Sequence, residues 1–388
     1  MAQFEIKDGT AIIPEGVTEI GSCAFEGCTS LENITIPEGV TEIGGHAFEG
    51  CTSLESIIIP ESVKHIVIYA FRDCISLKSI IIPESVTKID CCVFEGCTSL
   101  ESIVVADGNP VYDSREGCNA IIETTTNTLI QGCKTTVIPE SVTEIGIYAF
   151  LDCTSLKSIS IPESVTYIVS EAFKGCTSLK SITIPNSVTK IGSSAFDGCT
   201  LLENITIPEG VTEIRECTFR GCTSLKSITI SESVTEIGTG VFWCCSSLES
   251  IVVAEGNPIF DSRESCNAIV ETETNALLFG CKSTIIPNSV KVIEGSAFLG
   301  CSLLENITIP KGVTKICESV FEKCTSLVTV TLPVGVNKIE EYVFDGCDSL
   351  STIYVPAKKN DYYKKRIPWH LRDKIVELAP EKETKIKK

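Results

Sequence analysis

Apolar residues recur along this chain with a spacing of 23 residues, and polar residues fill the positions between them. One repeat carries the whole pattern at Leu31, Ile34, Ile36, Val40, Ile43, Ala47, Phe48 and Cys51. The alternation around Ile34 and Ile36 predicts a short strand, and the proline that follows lacks an amide donor and ends it. The Gly-Cys-Thr-Ser run after the phenylalanine predicts a turn.

The proline that closes each strand marks the repeat. It stands at positions 14, 37, 60, 83, 139, 162, 185, 208, 287, 310, 333 and 356, and Ala106, Ser231 and Ala254 take its place elsewhere. This spacing defines fourteen repeats between Pro14 and Pro356, twelve of 23 residues and two of 33. The large apolar side chains of one repeat contribute about 10 kcal/mol on burial, whereas ordering costs about 1–2 kcal/mol for every residue. A single repeat is therefore unstable, and the pattern predicts an elongated solenoid of stacked coils.

The motif L-x-x-I-x-I-P-x-x-V-x-x-I-G-x-x-A-F-x-x-C resembles the BspA-like leucine-rich repeats of bacterial surface proteins and some mucosal protozoa. The resemblance covers residues 11–356. It implies a repeat solenoid of the α/β to mainly β class, curved, with a parallel sheet on the concave face and short helical or irregular turns outside. It also implies adhesion to host matrix proteins, other bacteria or epithelium.

The period stops after Pro356, and residues 357–388 carry 11 basic and 5 acidic side chains. Apolar residues between Tyr362 and Leu378 predict an amphipathic capping helix, which the open end of a solenoid requires. We therefore expect four parts: an N-terminal cap at 1–13, the solenoid at 14–356 with inserts near 107–134 and 255–282, a C-terminal cap at 357–380, and a disordered basic tail at 381–388.

The two longer repeats contain related inserts, because residues 108–134 and 256–282 agree at 19 of 27 positions. The segments Ala120 to Glu123 and Thr128 to Ile130 predict a hairpin on the convex or lateral side. Polar side chains close together in each insert favour a recognition loop displayed twice, and its candidate residues are Asp113, Arg115, Glu116, Asp261, Arg263 and Glu264. The alternative is a structural variant of the coil, held by local hydrogen bonds.

The residue between the two strand isoleucines is expected to point outward from the sheet. It is β-branched in most repeats, which suits a sheet sterically. The cluster of Ile58, Ile81 and Val104 is also a candidate apolar contact patch for a protein. Acidic residues recur in the same way at Glu15, Glu38, Glu61 and Glu84, a pattern typical of a solvated face.

The charge balance excludes some partners. With 51 acidic and 32 basic residues the net charge is −19, which argues against binding to nucleic acid or anionic membranes. No apolar run approaches the roughly 18 residues of a spanning helix, and the N-terminus has no apolar core of a signal peptide. The chain as given is expected in the cytoplasm, whereas the family resemblance implies the cell surface or secretion.

Candidate chemistry is sparse in this sequence. Twelve of the 22 cysteines form a ladder after the phenylalanines and are expected to be buried, reduced thiols. His46 and His65 are expected at the surface, and there is no phosphate-binding loop, dinucleotide fingerprint or zinc spacing.

Together these features predict a protein that is not an enzyme and has no cofactor and no metal. The leading hypothesis is a monomeric leucine-rich-repeat scaffold that binds an unidentified protein, by resemblance a host matrix or bacterial surface protein. The alternative is an intracellular structural or regulatory interaction protein.

Overall fold

The computed structural model describes residues 4–379. Within this range the chain forms two compact units, which we call the N-terminal unit (4–222 and 236–241) and the C-terminal unit (223–235 and 242–379). Each is a solenoid of stacked coils, and this confirms the predicted fold class. Residues 1–3 of the expected N-terminal cap, residue 380 of the expected C-terminal cap and the whole predicted tail at 381–388 lie outside the described residues.

Most of the strands predicted before the prolines are present and pair in parallel, and we call them ladder A. Among the described residues no strand directly precedes Pro139 or Pro287, and only isolated bridges precede Pro60 and Pro208. The outward residues of ladder A are exposed and its inward residues buried, as in the Ser79–Ile82 strand, where Ile80 and Ile82 face the core. Isolated bridges join Thr35 to Ile58 and Ser56 to Ser79, and so continue the ladder between named strands. In the N-terminal unit the strands are Thr10–Ile12, Asn33–Thr35, Ser79–Ile82, Ser102–Val105, Ser158–Ser160 and Ser181–Thr183. In the C-terminal unit they are Ser227–Ile230, Ser250–Val253, Asn306–Thr308, Thr329–Thr331, Thr352–Val355 and Ile375–Glu377.

A second parallel ladder, ladder B, follows the valine of each coil and was not predicted. Each of its strands has only two residues, of which the second is an inward-facing isoleucine. In the N-terminal unit they are Glu19–Ile20, Glu42–Ile43, His65–Ile66, Lys88–Ile89, Glu144–Ile145, Tyr167–Ile168, Lys190–Ile191, Glu213–Ile214 and Glu236–Ile237. In the C-terminal unit they are Val292–Ile293, Lys315–Ile316 and Lys338–Ile339. The coil therefore has two hydrogen-bonded faces around one apolar core.

The phenylalanine ladder fills that core. The ring of Phe48 lies 5.2 Å from that of Phe25 and 5.3 Å from that of Phe71, and the planes are nearly parallel. The ladder cysteines are mostly buried, as predicted, and they also have a polar role. The thiol of Cys51 donates to the carbonyl oxygen of Phe25 at 3.1 Å, and the thiol of Cys74 does the same to that of Phe48 at 3.1 Å. Each thiol thus links its coil to the preceding one.

The predicted hairpin is present in each insert, where its two strands are antiparallel. It is not a free loop, because three of the four side chains of Ala120–Glu123 are buried and Thr128–Gly132 pairs in parallel with a ladder B strand. The first insert contains Tyr112–Asp113, a 3-10 turn at Arg115–Gly117, Ala120–Glu123 and Thr128–Gly132. The second contains Phe260–Asp261, a 3-10 turn at Arg263–Ser265, Ala268–Glu271 and Ala276–Gly280.

The ends of the described chain add short elements to ladder A. Ile6–Lys7 pairs antiparallel with Thr10–Ile12. After the last repeat the structure has a five-residue α-helix at Asn360–Lys364, a 3-10 helix at Trp369–Lys374 and a strand at Ile375–Glu377. The single amphipathic helix expected here is divided, because Pro368 lacks the amide donor that a continuous helix needs.

The residue before each ladder cysteine has a positive φ, between 51° and 72°, and is usually glycine. We expect Gly198→Ala to lower the free energy of unfolding by about 1 kcal/mol, because a Cβ disfavours this left-handed conformation. A Cβ at Gly198 would meet nothing closer than 3.8 Å, so backbone strain is the main cost. Lys323 holds the same conformation at φ 59°, and Lys323→Gly should raise the stability. Urea unfolding measures both, and a shift of the two variants in the same direction would contradict the prediction.

Candidate functional site

An exposed apolar row crosses the ladder A face of the N-terminal unit. Ile58 is 81% exposed, Ile81 61% and Val104 42%. Ile81 stands opposite Val104 in the parallel register, and the Ser56–Ser79 bridge brings Ile58 beside Ile81. The three candidate residues therefore occupy neighbouring strands, about 4.8 Å apart. Ile12, 74% exposed, continues the row beyond Thr35.

The strands under this row are firmly held. Ile57 and Ile59 flank Ile58 and are each 6% exposed, so the backbone is fixed from the core side. Because successive side chains of an extended strand point to opposite faces, the side chain of Ile58 points into solvent. The row is consequently a preformed apolar surface, which the period-two pattern predicts.

Charged residues border the row on both sides. On the N-terminal side of the strands, Lys78 pairs with Glu55 at 2.7 Å and Lys134 with Glu101 at 2.9 Å. The hydrogen bond and charge of Lys134 lower the pKa of the Glu101 carboxyl below its ordinary value. On the proline side, an exposed acidic residue follows the strand in each coil, at Glu15, Glu38, Glu61 and Glu84.

The insert residues Asp113 and Arg115 are half-buried and bind each other. The Nε of Arg115 donates to both carboxylate oxygens of Asp113, at 2.9 and 3.0 Å, and its Nη1 reaches Asn127 at 2.9 Å and Ser141 at 3.3 Å. The hydrogen bonds that Arg115 donates to the Asp113 carboxylate raise the pKa of the Arg115 guanidinium above its ordinary value. Arg115 thus fastens the insert to the next coil.

The second insert repeats this arrangement. Arg263 donates to Asp261 at 2.8 and 3.0 Å and to Asn275 at 2.6 Å. Glu116 and Glu264 are exposed, each with φ near 58°. These contacts favour the structural alternative for the arginines and aspartates, and they leave the two glutamates accessible to a partner.

The expectation that His65 is a solvated surface residue is wrong. Its side chain is only 19% exposed and lies between Glu42, with Nδ1 at 3.1 Å, and Asp90, with Nε2 at 3.2 Å. Partial burial alone would raise the pKa of the Asp90 carboxyl, but hydrogen bonds and charges from His65 and Lys88 lower it. The reason is ladder B, which was not predicted and which stacks Glu42, His65 and Lys88 on successive coils.

The C-terminal unit contains a groove of about 940 Å³ beside ladder A, which sequence reasoning missed. Its wall includes the stacked prolines Pro310, Pro333 and Pro356 and the outward side chains of Thr308 and Thr331. The recurrence of proline was visible in the sequence. The pattern alone, however, does not predict whether the stacked prolines form a groove or a flat surface.

Two features that the described residues lack bear on other functions. Among residues 4–379, no group of three or more histidine, cysteine or acidic side chains is arranged to hold a metal ion. No helix within the same range has the length and apolar character needed to cross a bilayer.

Stacked coils with two parallel ladders, a phenylalanine core and an exposed strand face define a leucine-rich-repeat solenoid. The family described as BspA type leucine rich repeat region matches in six copies, over residues 6–114, 143–264 and 277–366. These ranges cover more than half of the chain, which therefore belongs to this family. Membership is consistent with a protein-interaction scaffold, and scaffolds of this class are typically not enzymes.

Solved structures of bacterial proteins are similar to this chain. A leucine rich cell surface protein from Faecalibacterium prausnitzii is 26% identical, with 93% of this chain and 94% of that chain covered and a TM-score of 0.52. A leucine-rich repeat protein from Eubacterium ventriosum is 24% identical, with 87% and 82% covered and a TM-score of 0.55. A leucine-rich repeat protein from Bacteroides ovatus is 29% identical, with 95% and 83% covered and a TM-score of 0.47. No curated protein matches significantly.

Proposed function

We propose that this chain is a non-enzymatic scaffold that binds a protein partner on the ladder A face of its N-terminal unit. The observation that carries the proposal is the contiguous row of Ile58, Ile81 and Val104, exposed on strands whose other face is fixed in the core. Single exposed apolar residues are ordinary on proteins, whereas a contiguous patch bordered by polar residues is typical of a contact site.

The partner we propose is a host matrix protein or a bacterial surface protein, so that the function is adhesion. Support comes from the family and from the similar Faecalibacterium prausnitzii structure, which is described as a cell surface protein. Repeated coils suit this role because they present a long surface of regularly spaced side chains to a large partner. Glu116 and Glu264 in the inserts are proposed as secondary contacts, since both carry exposed charges.

A second candidate is an intracellular structural or regulatory interaction protein. The observation that favours it is the thiol content, since all 22 cysteines lie within the described residues and none of them there forms a disulfide bond. Free thiols in such number are typical of a reducing compartment. Fractionation of the source cells discriminates the two candidates, because a surface-exposed pool supports adhesion and a strictly cytosolic pool supports the alternative.

The double variant Ile58→Thr/Ile81→Thr tests the proposed face. Threonine already occupies this position in other coils, for example Thr183, so the variant should fold. We expect saturable binding of the wild-type chain to at least one preparation of host matrix or bacterial surface proteins by biolayer interferometry. The double variant should bind about tenfold more weakly, because truncating central apolar contacts costs about 1–2 kcal/mol.

Ile285→Thr is the matched control. Ile285 is 77% exposed at the same coil position but belongs to the C-terminal unit, so its replacement should leave the affinity unchanged. Equal affinity of the wild type and the double variant would refute the proposed face. The absence of any saturable partner would refute the proposed function as a whole.

A further inference from the structure

A row of carboxylates runs along the proline side of the exposed apolar row in the N-terminal unit. Its members share one position, the residue after the proline, in consecutive coils, and all are exposed: Glu15, Glu38, Glu61 and Glu84. Coils that pair in a parallel ladder stand about 4.8 Å apart, so the row places like charges side by side. No basic side chain among residues 4–379 forms an ion pair with any of the four, whereas Glu55 and Glu101 on the opposite border are paired.

This row is uncompensated charge. Two exposed unit charges at this spacing repel each other by about 1 kcal/mol in water at low salt. A ligand that brings positive charge to the row would relieve this repulsion and gain attraction as well. The paired border, in contrast, already holds its own cations and offers less to such a ligand.

The coil itself does not require acidic residues at this position. In the last coils of the C-terminal unit the same position holds Asn288, Lys311, Val334 and Ala357. Ladder A nevertheless continues there, for instance between Asn306–Thr308 and Thr329–Thr331. The same position carries Glu232 and Glu255 in the first coils of the C-terminal unit, so an acidic residue is common at this position but is not required by the fold.

We propose that the ladder A face of the N-terminal unit recognises an extended polypeptide segment that carries both apolar and cationic side chains. The apolar side chains contact Ile58, Ile81 and Val104, and the lysine or arginine side chains reach Glu38, Glu61 and Glu84. This inference rests on the proposed function, since it assigns the chemistry of the partner for the same face. Apolar contact supplies the affinity, and charge complementarity selects the partner and speeds association.

The probe is a fluorescein-labelled peptide of alternating lysine and valine, titrated with the full chain and followed by fluorescence anisotropy. A peptide with glutamate in place of lysine is the matched comparison. We expect the lysine peptide to bind and the glutamate peptide not to bind. The variant Glu38→Gln/Glu61→Gln/Glu84→Gln should bind the lysine peptide about tenfold more weakly, and higher ionic strength should narrow that difference.

The control is Glu19→Gln/Glu26→Gln/Glu236→Gln, which removes the same net charge at exposed positions of the N-terminal unit outside the row. It should change the affinity by less than about twofold. An equal loss in both triple variants would overturn the proposal, because attraction would then follow net charge alone. Analytical ultracentrifugation gives a further test, with the variant Glu38→Gln/Glu61→Gln/Glu84→Gln, called the Glu38 triple variant. If the wild type self-associates and this variant does not, the proposal is overturned, because a second copy of the chain would then occupy the face.

The two proposals for this face fail in different ways. A protein partner lost in Ile58→Thr/Ile81→Thr but bound normally by the Glu38 triple variant would sink the cationic segment and leave the protein-binding function intact. A partner that both variants bind normally would sink both.

Discussion

Phe173→Ala should lower the free energy of unfolding of the N-terminal unit by about 4 kcal/mol. Phe173 is fully buried, and its ring stacks on Phe150 at 5.0 Å and on Phe196 at 5.5 Å. The stability of a solenoid is approximately a sum over neighbouring interfaces, so the loss of one ring weakens the contacts of its coil with both adjacent coils. Urea unfolding followed by far-UV circular dichroism measures the change.

Phe173→Leu is the matched comparison, and it should cost only about 1–2 kcal/mol because it keeps most of the buried apolar volume. Neither variant removes the acceptor of the Cys199 thiol, which is the backbone carbonyl oxygen of residue 173 at 3.2 Å. A cost below about 1 kcal/mol for the alanine variant would show that the stacked rings do not carry the core.

The parts of the fold that the sequence predicts are those in which one residue type recurs at one position. The phenylalanine rings and the ladder A strands are of this kind, because identical coils stack identical residues. Ladder B was not predicted because a two-residue strand such as Glu42–Ile43 is too short to show an alternation of apolar and polar residues. Its isoleucine was visible as an apolar position, but its hydrogen bonds depend on the neighbouring coil, as in the Gly44 amide that donates to the carbonyl oxygen of Ile20 at 2.8 Å.

The candidate site also has features that the sequence predicts and features that it does not. The exposure of Ile58 follows from alternation within its own coil, and the structure agrees. The surroundings of Arg115 do not follow, because its partners Asn127 and Ser141 stand 12 and 26 residues further along the chain. His65 illustrates the same limit, since Glu42 and Asp90 approach it from the preceding and the following coil. To predict contacts between different residue types on neighbouring coils, one must know how those coils are aligned in the structure. The repeat pattern alone does not give this alignment.

The cysteine ladder makes a second large effect testable, which is loss of stability at alkaline pH. Burial raises the pKa of the thiols of Cys51 and Cys153 to about 12. It also raises the pKa of four further buried ladder thiols of the N-terminal unit, those of Cys74, Cys97, Cys176 and Cys199. An unfolded cysteine titrates near pH 8.5. Between that pH and the folded pKa, the unfolded chain has lost protons that the folded chain retains, so the free energy of unfolding falls as the pH rises.

Each such thiol contributes a slope of about 1.4 kcal/mol per pH unit, so six of them should destabilise the N-terminal unit by about 8 kcal/mol for each unit above about pH 9. Urea unfolding at a series of pH values, with a reducing agent present, measures the slope. Cys176→Ser/Cys199→Ser should reduce it by about 3 kcal/mol per pH unit. Cys91→Ser, which replaces an exposed thiol, is the control. A stability that stays constant from about pH 8 to about pH 10 would contradict the prediction, because buried thiols must then ionise without unfolding.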